Sequence, residues 1–146
     1  PRPHVIVKEG KADNGIIRVN GSSIDLSDLL KIINNRIEKV LDKDHLIGHS
    51  YFMDVTSWKD LRTVFNQNII PLLEEYFYGD KGKVQLILGK GFIESIDDQE
   101  NEDIFPDTNY NDQGLFEDRP VWRIKDDWRE SEENFLAALS KLGIEN

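Results

Sequence analysis

Apolar residues in this chain fall into a few separate periodic stretches. Leu26, Leu29, Leu30, Ile33, Ile37, Val40 and Leu41 recur at steps of three and four, the spacing of a helix with one face turned to a core. The pattern predicts a helix over 26–42, with Asp25 or Ser27 accepting from the free amides of the first turn. Ile32 falls beside this stripe and widens it, which implies contacts on two sides. A longer stripe follows: Trp58, Leu61, Val64, Phe65, Ile69, Leu72, Leu73, Tyr76 and Phe77. Ser57 and Asp60 before it have the spacing of a capping box, with Asp where Glu is usual. Pro71 lies inside the stripe. It has no N–H for the carbonyl of Gln67 and clashes with it, so a kink or restart is predicted there. Gly79 supplies a stop. Leu30, Ile37, Leu61, Phe65, Leu72 and Phe77 are predicted to share one core.

Other stretches read as strands. Residues 4–8 and 15–19 are short β-branched runs around a turn-rich 9–14, and predict a hairpin. Residues 83–88 read as a strand, 89–91 as a turn, and Phe92 and Ile93 as pairing back. Residues 121–125 read as a returning strand. Ser131 caps a last helix, 132–142, with Phe135, Leu136, Leu139 and Leu142 on one face. Residues 45–55 have no helical period, and Gly48 there permits an unusual backbone angle or the close approach of another group. The expected fold is mainly α (α+β), a small helical bundle with short β-hairpin elements in one domain. Short strands and a linker occupy 1–22 and the helical core 23–80. A β-hairpin, an acidic loop and the C-terminal helix fill 81–146.

Composition narrows the classes. At 146 residues the chain fits one domain of the usual ~100–200 residues. It has no cysteine, which excludes disulfides and thiolate metal sites and fits a reducing, cytoplasmic setting. No apolar run approaches the ~18 residues of a membrane helix, and no stretch reads as a signal peptide. The formal net charge is −10. Residues 94–118 hold ten acids and no Lys or Arg, and the rest of the chain is electrically balanced. Such a surface repels a phosphate backbone, so direct nucleic-acid binding is disfavoured. The segment itself reads as a solvated loop.

A search for chemistry finds no complete catalytic set. A P-loop needs G-x-x-x-x-G-K-S/T, and Gly82-Lys83 and Gly89-Lys90-Gly91 match it in composition only. The run from Ile69 to Glu75 resembles an apolar strand ending in acids, but Pro71 forbids a central strand. Pro106-Asp107 followed by Arg123-Ile124-Lys125 lacks the second acid of a two-metal nuclease. His45 and His49 are four apart, yet Gly48 lies between them and no helix pattern covers them, so no metal site is expected. His45 reads as a surface or capping residue. Ser50 is not in a nucleophile elbow.

Three runs nevertheless resemble a known family: Leu29 to Glu38, then Asp44 to Met53 with the order Ile47-Gly48-His49-Ser50-Tyr51-Phe52, then Ile69 to Phe77 with Pro71-Leu72-Leu73-Glu74-Glu75-Tyr76-Phe77. They are similar to the C-terminal end of the AAA+ motor in McrB-type proteins, the GTP-hydrolysing subunits of 5-methylcytosine-specific restriction systems. The resemblance covers 26–88, and Val121-Trp122-Arg123-Ile124 with Phe135 and Leu136 resembles the end of such proteins. It implies a helical lid without the P-loop and magnesium-binding acids, which precede this region in the family. The chain opens on Pro1 and its single methionine is Met53, which fits a piece of a longer protein. By resemblance the lid covers and senses GTP or ATP held with magnesium by a large subdomain. Its expected partners are that subdomain, neighbouring subunits of a ring and a nuclease subunit. His49, framed by Gly48 and Ser50, is the candidate nucleotide-sensing residue, with Arg36 a further one. No catalytic residue is expected in this stretch, although the whole protein would be an NTPase. The alternative is an independent protein-interaction module acting through Trp58, Trp122 or the acidic loop.

Overall fold

The computed structural model describes residues 15–19, 21–96, 105–117 and 119–144. It opens with an antiparallel hairpin, β1 (Ile16–Val19) and β2 (Ser22–Asp25), in which Ile17 faces Ile24. The predicted strand at 15–19 is present, but its partner is 22–25. The earlier run 4–8, predicted as its partner, lies outside the described residues. The connection between the strands holds the Asn20-Gly21 pair, a strong short-hairpin signal, and Gly21 takes the positive φ of +83°. Ile17, Val19 and Ile24 are buried.

The chain passes directly into α1 (Leu26–Val40), whose cap is Asp25: its Oδ1 accepts from Ser27 N at 2.9 Å. Leu26, Leu29, Leu30, Ile33 and Ile37 are buried as predicted. The helix stops two residues before 42, and Val40 and Leu41 are exposed. Two 3-10 turns, Lys43–His45 and His49–Phe52, carry the chain to the second helical stretch. This is α2 (Trp58–Val64), a π turn (Phe65–Ile69) and α3 (Ile70–Tyr76). Ser57 Oγ accepts from Asp60 N at 3.2 Å. The reciprocal bond goes to Thr56 and not to Ser57, because the Asp60 carboxylate accepts from Thr56 N at 3.0 Å and Oγ1 at 2.9 Å.

The break predicted at Pro71 takes the form of the π turn just before it. Pro71 sits in the first turn of α3, where a missing N–H costs least. The Ile70 N–H reaches the carbonyl of Phe65, five residues back. The wider winding keeps Leu61, Phe65, Ile69, Ile70, Leu73 and Phe77 buried across the junction. Leu72, predicted as core, is only half-buried and packs against the core's edge. Past Phe77, Tyr78 and Gly79 both take positive φ, and the Gly79 N–H closes onto the Glu74 carbonyl at 2.7 Å.

Residues 83–88 are not a strand. They belong to α4 (Lys81–Leu88), capped by Asp80, whose carboxylate accepts from Lys83 N at 3.3 Å. A strand would put Val84, Leu86 and Leu88 on one face. Instead Val84, Ile87 and Leu88 are buried and Leu86 is 64% exposed. Phe92 and Ile93 accordingly do not pair back on 83–88. β3 (Ile93–Ile96) pairs with β4 (Val121–Ile124) across the acidic segment, with Ile93 opposite Ile124. Within that segment, residues 105–113 are exposed or nearly so, and one short helical turn, α5 (Gly114–Glu117), follows. A 3-10 turn (Asp127–Arg129) leads to α6 (Glu132–Leu142), capped by Ser131 as predicted.

One buried cluster runs from Ile17 to Ile144. Its centre is aromatic: Phe65 stacks on Phe92 with centroids 4.9 Å apart, and Phe135 meets Phe65 edge-on at 5.9 Å. Trp128 packs on Phe92 at 5.2 Å. The helices of 26–88 and the C-terminal elements therefore fold onto each other and bury their apolar faces together, the main favourable term in holding the fold. Gly91 allows the closest approach: a Cβ there would lie 2.5 Å from Ala138 Cα of α6.

Candidate functional site

The segment between α1 and α2 is held from below at three points. The first is Asn34 on α1, the one buried polar side chain among the described residues, at 3% exposure. Its amide meets both polar groups of a single backbone residue: Nδ2 donates to the Ile47 carbonyl at 2.9 Å, and Oδ1 accepts from Ile47 N at 2.7 Å. The bonds satisfy two backbone groups that burial would otherwise strand. The second and third points are Ile47 and Phe52, both buried. Between these anchors Gly48 and Ser50 are exposed and His49 is half-buried, at the start of the 3-10 turn. The sequence reading did not single out Asn34 as a site residue. The signal was available, since Asn34 stands four residues after Leu30 and three before Ile37, a polar residue inside an apolar stripe.

Gly48 does not adopt an unusual backbone angle. Its φ of −80° and ψ of 156° are extended values open to any residue. A Cβ built on it would meet only Ser50 Oγ, at 3.8 Å. Neither the backbone nor the chain's own packing requires glycine here.

The first half of the segment is closed by polar contacts. Asp42 Oδ1 lies 2.6 Å from His45 Nδ1 and also accepts from Asp44 N at 2.9 Å. The bond to His45 holds the Asp42 carboxyl below its ordinary range. The His45 ring meets Tyr76 of α3 edge-on at 4.9 Å. Burial pushes the Tyr76 phenol up, with smaller contributions from Tyr51, Glu75 and Asp42. His45 is thus a surface residue, and the cap of this turn is Asp42, whose carboxylate the His45 ring meets.

Arg36 is engaged away from the turn. Its Nη1 donates to the Ile87 carbonyl near the end of α4 at 2.7 Å. Its other terminal nitrogen would be 3.1 Å from a Cβ on Gly143. Burial lowers its pKa, yet a guanidinium stays charged throughout the physiological range. It ties α1 to α4 and lies beside Gly143 at the end of α6. The structure therefore brings Gly48, His49 and Ser50 together and commits Arg36 to a helix end. Trp58 and Trp122 are each half-buried against the core; Trp58 lies 6.1 Å from Phe135, and Trp122 packs over Gly82.

Among the described residues, no group of three or more His, Cys, Asp or Glu is placed to hold a metal ion. No helix of the described residues is long and apolar enough to cross a membrane. The acidic segment carries an apolar hollow of about 180 Å³ lined by Phe105, Pro106, Tyr110 and Phe116.

Residues 25–85 match the family model described as the McrB alpha-helical lid domain. No curated protein matches the chain. The matched span opens at the cap of α1 and closes within α4, so it contains the whole Asn34-braced turn and stops before the β3–β4 hairpin.

Proposed function

We propose, from the premise that residues 25–85 are a McrB-type lid region, that the chain works as the lid of a McrB-like AAA+ motor of a DNA restriction system. The lid closes over GTP or ATP held by a large subdomain and senses it through the Gly48-His49-Ser50 turn. The observation that carries this reading is the contrast within the turn. Its two ends are fixed by a buried amide and two buried apolar anchors, while Gly48 and Ser50 stay exposed. A glycine that its own chain does not need fits a surface that something else approaches closely.

The chemistry follows from the residue types. An imidazole beside a terminal phosphate has its charged form favoured by the anion. It then gives a donor that matters only when nucleotide is present, and the Ser50 hydroxyl adds a second. The sequence has no P-loop and the described residues hold no metal-binding cluster. In this reading the large subdomain would supply the phosphate cradle and hold the magnesium, and the residues of this chain would cover and orient the nucleotide. Neighbouring subunits of a ring, and a nuclease subunit, are the partners such a lid would serve.

The test is Gly48→Val in the full-length protein that carries this lid. The unfolding free energy from urea titration should stay within about 0.5 kcal/mol of wild type, as for surface changes generally, while nucleotide affinity or turnover falls at least severalfold. Unchanged affinity and turnover would contradict the reading.

A second reading rests on the hollow between Phe105 and Phe116. Exposed aromatic and apolar groups in an acid-rich segment fit a protein-interaction module without enzymatic activity. A P-loop encoded upstream of Pro1 would favour the motor lid, and a start codon at that place the module.

A further inference from the structure

On the second helical stretch, away from the Gly48-His49-Ser50 turn, two arginines border one hollow. It measures about 250 Å³ and is lined by Arg62, Thr63, Asn66, Gln67 and Arg129. Arg62 stands at the end of α2, and Asn66 and Gln67 belong to the π turn. Such turns occur often at functional sites, because the wider winding changes which side chains a helix presents. Arg129 ends the 3-10 turn before α6.

Both guanidinium groups are held in place. Arg62 Nη1 donates to the Arg129 carbonyl at 2.8 Å, and its guanidinium lies 5.0 Å from the Trp58 ring centroid. Arg129 Nη1 donates to Asp126 Oδ1 at 2.7 Å, and its guanidinium lies 4.7 Å from the Trp128 ring. The carboxylate that Arg129 meets, Asp126, has a side chain that is 83% exposed and correspondingly screened. The Arg129 Nε is buried and has no hydrogen-bond partner among the described residues.

We propose that this hollow binds a compact tetrahedral oxyanion of the phosphate class. Each guanidinium has Nη1 committed and keeps its Nη2 donors, and charged N–H donors of this kind suit phosphate oxygens. Asn66 and Gln67 can add neutral amide donors, while the Thr63 hydroxyl already donates to the Lys59 carbonyl at 3.0 Å and only lines the wall. Four acceptor oxygens arranged tetrahedrally use such a set better than the two coplanar oxygens of a carboxylate. The net charge of −10 works against an extended polyanion and leaves a single small anion as the ligand. The proposal is independent of the nucleotide-sensing reading of His49.

The probe is inorganic phosphate, titrated into the chain at constant ionic strength with chloride as the exchanged ion. The readout is the ¹H–¹⁵N spectrum of the arginine Nε–H groups and the Asn66 and Gln67 side-chain amides. Saturable shifts of the Arg62 and Arg129 Nε–H signals are expected, with no comparable response to acetate. Arg62→Gln and Arg129→Gln should each weaken the affinity by about tenfold or more, the scale of a charge-assisted hydrogen bond. Should either variant fail to fold, the wild-type comparison of phosphate with acetate decides alone. Shifts that are linear, equal with acetate, or unchanged by substitution in folded variants would overturn the proposal. A response to GTP or ATP with none to inorganic phosphate would overturn it as well, since the hollow would then be reading something other than a compact anion.

Discussion

At the scale of single residues, Asn34 and Asp60 carry most of the local specification around the candidate turn. Asn34→Ala would leave the Ile47 N–H and carbonyl buried without partners. At about 1–3 kcal/mol for each of the two stranded groups, a loss of about 2–6 kcal/mol in urea unfolding is expected, with faster exchange of the Ile47 amide. An unchanged midpoint would mean that water replaces the side chain. Asp60 has its carboxyl held below the ordinary range, first by the Thr56 backbone N–H and then by the Thr56 and Ser57 hydroxyls. A carboxyl depressed in the folded state stabilises above the unfolded value of about 3.9. That contribution disappears as pH falls through the lower folded value. Asp60→Asn should therefore be less stable than wild type at pH 7, and the gap should close as the pH drops below about 4. A gap independent of pH would place the effect in packing and not in the charge. Asp60 was legible as half of a capping box, but its actual partner, Thr56, was not. Residue spacing fixes which amide an N-cap oxygen can reach, whereas a carboxylate has a choice of nearby donors.

At the scale of elements, amphipathic periodicity was the most readable signal. The stripes of α1, α2–α3 and α6 were legible because each buries one face over several turns, and the caps Asp25, Ser57 and Ser131 were legible for the same local reason. The misreadings have a common cause. Residues 83–88 are β-branched and apolar enough to look like a strand, and short apolar runs are ambiguous between the two periods. Asp80 as a cap and burial at 84, 87 and 88 decide for helix. The pairing of β3 with β4 spans the whole acidic segment, and no local pattern reports a partner that far away. The same holds for the aromatic centre, where Phe65 of the π turn meets Phe92 and Phe135 from the C-terminal half. Phe65→Ala should cost about 3–5 kcal/mol, as for large-to-small changes in packed cores. It should also expose the C-terminal helix, read as earlier proteolytic cleavage within α6. A change below about 1 kcal/mol would show that the two halves do not share this core.

At the scale of the whole molecule, residues 25–85 match the McrB lid model, and the proposed function adds that the braced turn within them would meet nucleotide. Of this candidate site, Gly48, His49 and Ser50 came from the family resemblance of the run Ile47 to Phe52. The support beneath them was not legible, because Asn34 reaches across thirteen positions of sequence to Ile47. Arg36 had the right charge for a sensor, yet its use as a tie to the Ile87 carbonyl depends on a packing that sequence spacing does not report. The most direct measurement is the hydrolysis rate of full-length protein carrying His49→Ala, taken with the urea midpoint of the same variant. The account predicts a rate lowered about tenfold to a hundredfold, the scale of one charge-assisted donor lost near a transition-state oxyanion, with the midpoint essentially unmoved. An unfolded variant, or a folded one that hydrolyses nucleotide at the wild-type rate, would contradict it.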